Sequence, residues 1–385
     1  MRKRVYLDWN ATTPLRAEAR AAMAAAFDIS GNPSSVHSEG RAARRLIEEA
    51  RAIVASAVGG DSRNVVFTSG GTEANALALT PGLRRKDTGP VQRLIVSAIE
   101  HPSVLAGGRF PKVELAPVLP SGVIDLDALA ALLASGSTAL VSVMLANNET
   151  GAIQPIPEIA VLVREHGGLL HVDAVQALTK ISFNIKELNA DIVTVSAHKV
   201  GGPKGVGAMI VADSLFGLEA QVRGGGQEQG RRAGTENVIG IAGFGAALKA
   251  AMASADADAV RMKALQARLE SGLKQYPGVA IFADSAPRLP NTTLVSMPGM
   301  KAETTVIGFD LEGVAVSSGS ACSSGKVQPS HVLRAMSASP ELISGAIRLS
   351  LGWDSTEADI DRCLEAWRKL AGVLGKASAI GLEQF

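Results

Sequence analysis

Cysteine is scarce in this chain, with two among 385 residues, Cys322 and Cys363. They permit at most one disulfide, which excludes a cross-linked scaffold and favours a reducing compartment. Charge excess is also missing. The 38 basic and 37 acidic residues leave a formal net charge of +1, so no electrostatic footprint points to nucleic acid or to an anionic membrane. Long hydrophobic runs are absent as well. The longest, Val238 to Leu248, contains three glycines and falls well short of the roughly 20 residues needed to cross a bilayer. The basic start, Met1 to Arg4, is not followed by the apolar stretch of a secretory signal. The expectation is a cytoplasmic protein without a nucleic-acid or membrane partner.

Apolar residues make up 46% of the chain and charged residues 19%, enough to build a large globular core. The length suggests two domains. Alanine-rich stretches at 17–26, 126–134 and 246–259 predict helices, because alanine has the highest helix propensity. Between about residues 60 and 212, helical patterns alternate with short apolar runs: Val65 to Phe67, Leu94 to Val96, Leu140 to Val143, Leu169 to Val172 and Ile192 to Val195. Such runs predict buried strands of a mainly parallel α/β sheet covered on both faces. The pattern changes near Ser254 to Asp258. Beyond it lie an amphipathic helix carrying Leu265, Leu269, Leu273 and Tyr276, and strand-like segments at Thr292 to Met297 and Ala346 to Leu351. A last helix has Ile360, Cys363, Leu364, Trp367, Leu370 and Leu374 on one stripe. This reads as a smaller α+β domain: residues 15–255 form the large domain, and 1–14 with 256–385 the small one.

Parallel α/β sheets bind ligands beyond the carboxyl ends of their strands, and four polar clusters follow predicted strands here. Ser69 to Asn75 combines glycines, a hydroxyl and a helix start, the elements of an anion site; it reads equally well as a capped turn. Asp173 to Gln176 offers either a helix cap or a carboxylate for a protonated ring nitrogen. Ser196 to Lys199 ends in a lysine, either a surface charge or a Schiff-base amine. The glycines at 201, 202, 205 and 207 after it let the backbone turn and approach a ligand. Glu100 to Ser103 supplies an imidazole, His101, able to stack on a planar group and move a proton. Each cluster is ambiguous alone. Together they are the parts a protein provides around pyridoxal 5'-phosphate.

With these residues in view, the chain resembles the cysteine desulfurases of the nitrogen-fixation and iron–sulfur-cluster type. These are fold-type I pyridoxal-phosphate enzymes within the class V aminotransferases. The resemblance runs from Tyr6-Leu7-Asp8 and Asn10 to Thr13 through Gly31 to Ser35, Thr68 to Asn75 and Glu100-His101. It continues through Asn147 to Gly151, His171 to Asp173, Ser196 to Lys199, Gly224 to Asn237, Ser317 to Cys322 and Ala346 to Arg348. It implies a large domain with a seven-stranded, mainly parallel sheet flanked by helices. It also implies roles: Lys199 carries the cofactor, Asp173 pairs with its ring nitrogen, Gln176 reaches the ring hydroxyl and His101 stacks on the ring. Gly71, Thr72, Ser196 and His198 bind the phosphate. Thr235 reaches the phosphate of a partner subunit, which implies a homodimer. Asn148 and Arg348 hold the substrate carboxylate, a task that suits a planar guanidinium. Trp9, Gln229 and the residues after Cys322 depart from the usual pattern, and none of these departures removes a catalytic group.

Cys322 lies in Ser317 to Gly325, where every other residue is small. Cys363 sits on an apolar helix stripe and reads as structural. The resemblance implies that L-cysteine is the substrate. Lys199 removes its Cα proton, His101 shuttles the thiol proton, and Cys322 attacks the sulfur as thiolate, becoming a persulfide while alanine leaves. Lys326 is a nearby cation for that thiolate. The persulfide then passes to a sulfur-acceptor protein such as an iron–sulfur scaffold, with transient contact between Cys322 and a cluster. An aminotransferase, a selenocysteine lyase or a non-catalytic sulfur carrier on the same fold are the alternatives.

Overall fold

The computed structural model describes residues 4–86, 88–319 and 329–381. At its centre is a seven-stranded sheet in the order Val65–Thr68, Gly207–Val211, Ile192–Ser196, Leu169–Asp173, Ala139–Met144, Arg93–Ser97, Val113–Ala116. All pairings are parallel except the two made by Gly207–Val211. The apolar runs predict five of these strands. Their residues are buried almost without alternation, as a sheet covered on both faces requires. Neighbouring residues point to opposite layers: Val65 and Phe67 join one core with Ile47 and Phe244, while Val66 joins another with Leu77 and Leu94. Gly207–Val211 begins where the glycine punctuation predicts a turn. A side chain at Gly207 would lie 2.5 Å from the backbone of Gly70, so glycine lets this strand start beside the turn that opens the helix Gly71–Ala78.

A second, antiparallel sheet runs Ala280–Ile281, Thr292–Ser296, Ile347–Ser350, Ser317–Ser318. The helices Ala302–Leu311 and Glu357–Gly381 pack on it, with Phe309, Cys363 and Trp367 in a shared core. Cys363 is fully buried, and burial pushes its thiol up to about 12, so it fills space as an inert apolar group. The strand Val5–Tyr6 pairs with Val314–Ala315, and Val5 and Leu7 enter the same core.

The change of pattern near Ser254 to Asp258 is not a break in structure. One helix runs from Val238 to Leu273, and Tyr276 lies in the turn beyond it. The helix is continuous because alanine fills the join and the buried Asp258 is satisfied there, accepting from Ser254 Oγ at 2.7 Å and from Arg261 at 2.6 Å. Its first half buries Phe244 and Leu248 against the large sheet, and its second half buries Met262, Leu265 and Leu269 against the small one. By length and composition it is the one helix among the described residues that could cross a membrane. Run length alone does not reveal this, and the buried stripe accounts for its apolar character.

Candidate active site

The strands Val65–Thr68, Arg93–Ser97, Leu169–Asp173 and Ile192–Ser196 point the same way, so their carboxyl ends share one edge of the sheet. A cavity of about 290 Å³ opens there, in the size range of small-molecule sites. Gly71, Thr72, His101, Asp173, Gln176, Ser196, His198 and Lys199 line it from the large domain, joined by Asn148 and by Arg348 from the small sheet. Four segments far apart in sequence thus meet at one place. Two predicted residues are not on this wall. Thr235 is exposed and lines a second cavity with Ser69 and Arg232. Cys322 lies outside the described residues, as does Lys326.

Asp173 closes its strand with the carboxylate turned into the cavity. Its Oδ1 accepts from the Val175 N–H at 2.9 Å and its Oδ2 from Asn75 Nδ2 at 2.8 Å. Lys199 follows the strand Ile192–Ser196 on a short turn, and its Nζ donates to the carbonyls of Asn10 at 2.6 Å and Ala11 at 2.8 Å. Gly71 opens its helix close to the opposite wall: an added Cβ would lie 3.2 Å from Val175 and 3.4 Å from Ser196. The first N–H groups of that helix have no intrahelical acceptor, which makes the turn an anion-binding end.

The two cavity histidines are held neutral. Burial lowers His198 to about 4, with Lys199 and Lys204 adding to the shift. Burial also lowers His101, while Asp173 opposes the shift and Lys199 and His331 reinforce it. Arg348 is 1% exposed. Its Nη2 donates to Asp8 Oδ1 at 2.8 Å and its Nη1 to the Asn148 carbonyl at 3.0 Å, so one edge of the guanidinium is already anchored before any carboxylate arrives.

Several residues to which the sequence assigns no role support this wall. Asn10 is buried and joins segments far apart in sequence: Nδ2 donates to Thr292 Oγ1 at 2.8 Å and to the Asn148 carbonyl at 3.2 Å, and Oδ1 accepts from Lys180 Nζ at 3.2 Å and Asn291 Nδ2 at 3.1 Å. Lys180 Nζ also donates to Gln176 Oε1 at 2.8 Å. Because lysine only donates, this contact identifies the oxygen end of the Gln176 amide, and Gln176 Nε2 donates to the Asn10 carbonyl at 3.0 Å. Burial holds the Lys180 amine well below its ordinary value, with Lys199 and Arg348 adding to the effect. Lys180 stands four residues after Gln176, a helix-like spacing that is the only trace of this contact in the sequence.

The class-V aminotransferase family matches residues 5–363. A cysteine desulfurase of Cereibacter sphaeroides is 42% identical over 99% of this chain and 99% of its own. Cysteine desulfurase IscS of Dictyoglomus turgidum is 39% identical over 96% of this chain and 95% of its own. Among solved structures, a NifS-like protein from Rickettsia africae superposes with a TM-score of 0.88 at 38% identity, covering 96% of this chain and all (100%) of that one. SspA, solved in complex with cysteine, superposes at 0.75 with 29% identity, covering 91% of this chain and 100% of that one. The chain belongs to the class-V aminotransferases and, within them, to the cysteine desulfurases, which depend on pyridoxal phosphate.

Proposed function

We propose that the cavity converts L-cysteine to L-alanine, with Lys199 as the amine that carries the cofactor and Cys322 as the acceptor of the sulfur. The observation that carries this reading is the meeting of Lys199, Asp173 and His101 on one cavity wall beside an anion-binding helix start. The donor set suits pyridoxal phosphate. Asp173 would hold the ring nitrogen and Gln176 the ring hydroxyl, His101 would cover the ring face, and Gly71, Thr72, Ser196 and His198 would hold the phosphate. Thr235, exposed and off its own cavity, would serve the phosphate of a second subunit in a homodimer. When bound, the cofactor draws electrons from the bonds around the substrate's Cα.

The chain's own groups do the rest. Arg348 and Asn148 orient the substrate carboxylate. Lys199 Nζ would take the Cα proton as general base. Cys322 Sγ attacks the substrate sulfur as a thiolate. The new S–S bond forms as the C–S bond breaks, the β-carbon takes the electron pair and a proton, Lys199 returns the Cα proton, and alanine leaves. No external oxidant or reductant is required. A reducing, cytoplasmic setting suits a mechanism that depends on a free thiol. The persulfide would then pass to a sulfur-acceptor protein, an iron–sulfur scaffold in the reading that follows the IscS-named relatives. The division into residues 15–255 and 1–14 with 256–385 is supported by the separate cores on either half of the long helix.

Cys322→Ser tests the proposal. The variant is expected to keep the absorbance of the bound cofactor and to release no alanine from L-cysteine, measured by amino-acid analysis. Alanine release at the wild-type rate would remove Cys322 from the mechanism.

A further inference from the structure

Behind the cavity wall, an unbroken series of side-chain hydrogen bonds runs from Ser142 to His101, and counting donors settles its direction. Asp173, as a carboxylate, only accepts. Its Oδ2 lies 2.8 Å from the Asn75 amide nitrogen, so the Asn75 oxygen must face the other way, toward Thr194 Oγ1 at 2.6 Å. Thr194 therefore spends its one hydrogen on Asn75. Its oxygen can then only accept from its other neighbour, His171 Nε2 at 3.1 Å, which must carry a hydrogen. His171 Nδ1 is left as the acceptor for Ser142 Oγ at 2.8 Å. His171 is fully buried, and burial lowers it to about 4, with Asp173 opposing, in keeping with a neutral ring.

The same count runs outward to the cavity. The second hydrogen of Asn75 Nδ2 reaches Ser103 Oγ at 2.9 Å. Ser103 Oγ, already accepting, gives its own hydrogen to His101 Nδ1 at 2.8 Å. The Ser103 backbone N–H donates to the same nitrogen at 3.2 Å, because His101 caps the short helix Pro102–Leu105. A backbone N–H can only donate, so this contact leaves Nδ1 without a hydrogen, and the Ser103 hydroxyl, which could otherwise accept a second time, must donate to it. Among the described residues Nε2 has no partner, and His101 lines the cavity.

We propose that Asn75 and Ser103 are positioning residues that fix His101 as a neutral imidazole with its hydrogen on Nε2, so that His101 meets the substrate as a hydrogen-bond donor and not as a base. This rests on His101 belonging to the desulfurase cavity proposed above. A donor N–H can hold a lone pair of the substrate's neutral sulfur while Cys322 attacks it. Removing the thiol proton would require Nδ1 or Nε2 to take on a hydrogen, and Nε2 already has one while Nδ1 is occupied. Asn75 also serves Asp173, so one amide sets both the acceptor for the ring nitrogen and the tautomer of the ring that stacks above it. The other charged groups near His101 are Lys199, His331 and Asp173. His331 is turned aside, with Nε2 2.9 Å from the Glu100 carbonyl.

The test is nitrogen-15 NMR of histidine-labelled enzyme, with and without pyridoxal phosphate, using His101→Gln to assign the signal. At pH 7.5 to 8 the expected spectrum shows an unprotonated Nδ1 and a protonated Nε2. A protonated Nδ1, or an even mixture of tautomers, would overturn the proposal, and the wild-type spectrum alone decides this. Ser103→Ala removes a hydrogen bond to the neutral ring, so the His101 titration should rise by about one pH unit. The acid limb of kcat/KM should not follow it, because Nε2 keeps its hydrogen when Nδ1 is protonated, and Ser103→Thr should restore the titration. An unmoved titration in a folded Ser103→Ala would count against Ser103. A wild-type enzyme that released no alanine would defeat the reading of the activity and leave the tautomer result standing.

Discussion

Glu149 shows how much a single residue can be shifted by its surroundings. Its carboxyl is 3% exposed and accepts from Ser330 Oγ at 2.6 Å. Burial raises it to about 7 from 4.5, against the opposing pull of Ser330 and Arg348. Between those two values the folded chain keeps a proton that the unfolded chain has released, so stability must fall as pH rises from about 4.5 to about 7. The loss is of the order of 3 kcal/mol. Glu149→Gln retains an oxygen for Ser330 and cannot ionise. Its urea-unfolding free energy should lose that slope, so the difference between wild type and variant grows across the window. Parallel pH profiles would refute the assignment. The sequence shows Glu149 only as a member of Asn147 to Gly151. Its protonation depends on burial in the folded chain, which no local pattern encodes. Asn75 and Ser103 were equally hidden. Both stand in clusters that read as phosphate and imidazole sites, yet Asn75 finds Asp173 and Thr194 on strands, and Ser103 finds Asn75, only through the fold.

At the scale of elements, the edge strand Val65–Thr68 carries the turn that leads to Gly71, and its outer side is sealed by an ion pair. Arg51, from the helix Ser38–Val58, donates to the Val65 carbonyl at 2.8 Å and to both oxygens of Glu228 at 2.7 and 2.8 Å. Glu228 Oε2 accepts the Phe67 N–H at 3.0 Å. The pair therefore pairs backbone groups that an edge would otherwise leave open. It also holds Glu228 and Gln229 at φ of 49° and 58°, left-handed values that are costly for residues other than glycine. Removing one partner of a buried pair costs about 3–5 kcal/mol. Arg51→Met should lower the unfolding free energy by that amount and weaken cofactor retention, because the strand and the phosphate turn loosen together. Arg51→Met with Glu228→Leu should recover part of the stability, and a single variant as stable as wild type would contradict the argument. Strands such as Leu169–Asp173 and Ile192–Ser196 were legible because burial on both faces leaves a continuous apolar run. Gly207–Val211 was not, since its glycine serves a close approach that resembles turn chemistry in sequence. The helix Val238–Leu273 was read as two pieces because its apolar stripe changes partner midway.

In the whole molecule, two cores are joined by that helix and by Asn10, whose side chain ties Lys180 to Thr292 and Asn291. Of the three tryptophans, Trp367 reports on the small core and Trp353 on the joint itself, with the Arg16 guanidinium 3.8 Å from its ring centre. Trp9 and Trp353 meet edge to face with ring centroids 4.7 Å apart. The cofactor cavity reports on the large domain, through residues such as Asp173 and Lys199. Continuity of the helix and satisfaction of every polar atom on Asn10 should make unfolding cooperative across the joint. Tryptophan fluorescence and cofactor absorbance are then expected to change at the same urea concentration in the wild-type chain. Asn10→Ala removes one partner each from Asn291 Nδ2, Thr292 Oγ1 and the buried Lys180 amine, which keep Leu351, Asn291 and Gln176, so the loss is about 1 kcal/mol for each hydrogen bond. Those groups lie on both sides of the joint, so the variant should separate the two transitions, with fluorescence moving first. If the two probes stay coincident in Asn10→Ala, the long helix alone couples the domains. The cavity would then draw on the small sheet through Arg348, while the Asn10 and Ala11 carbonyls go on holding Lys199.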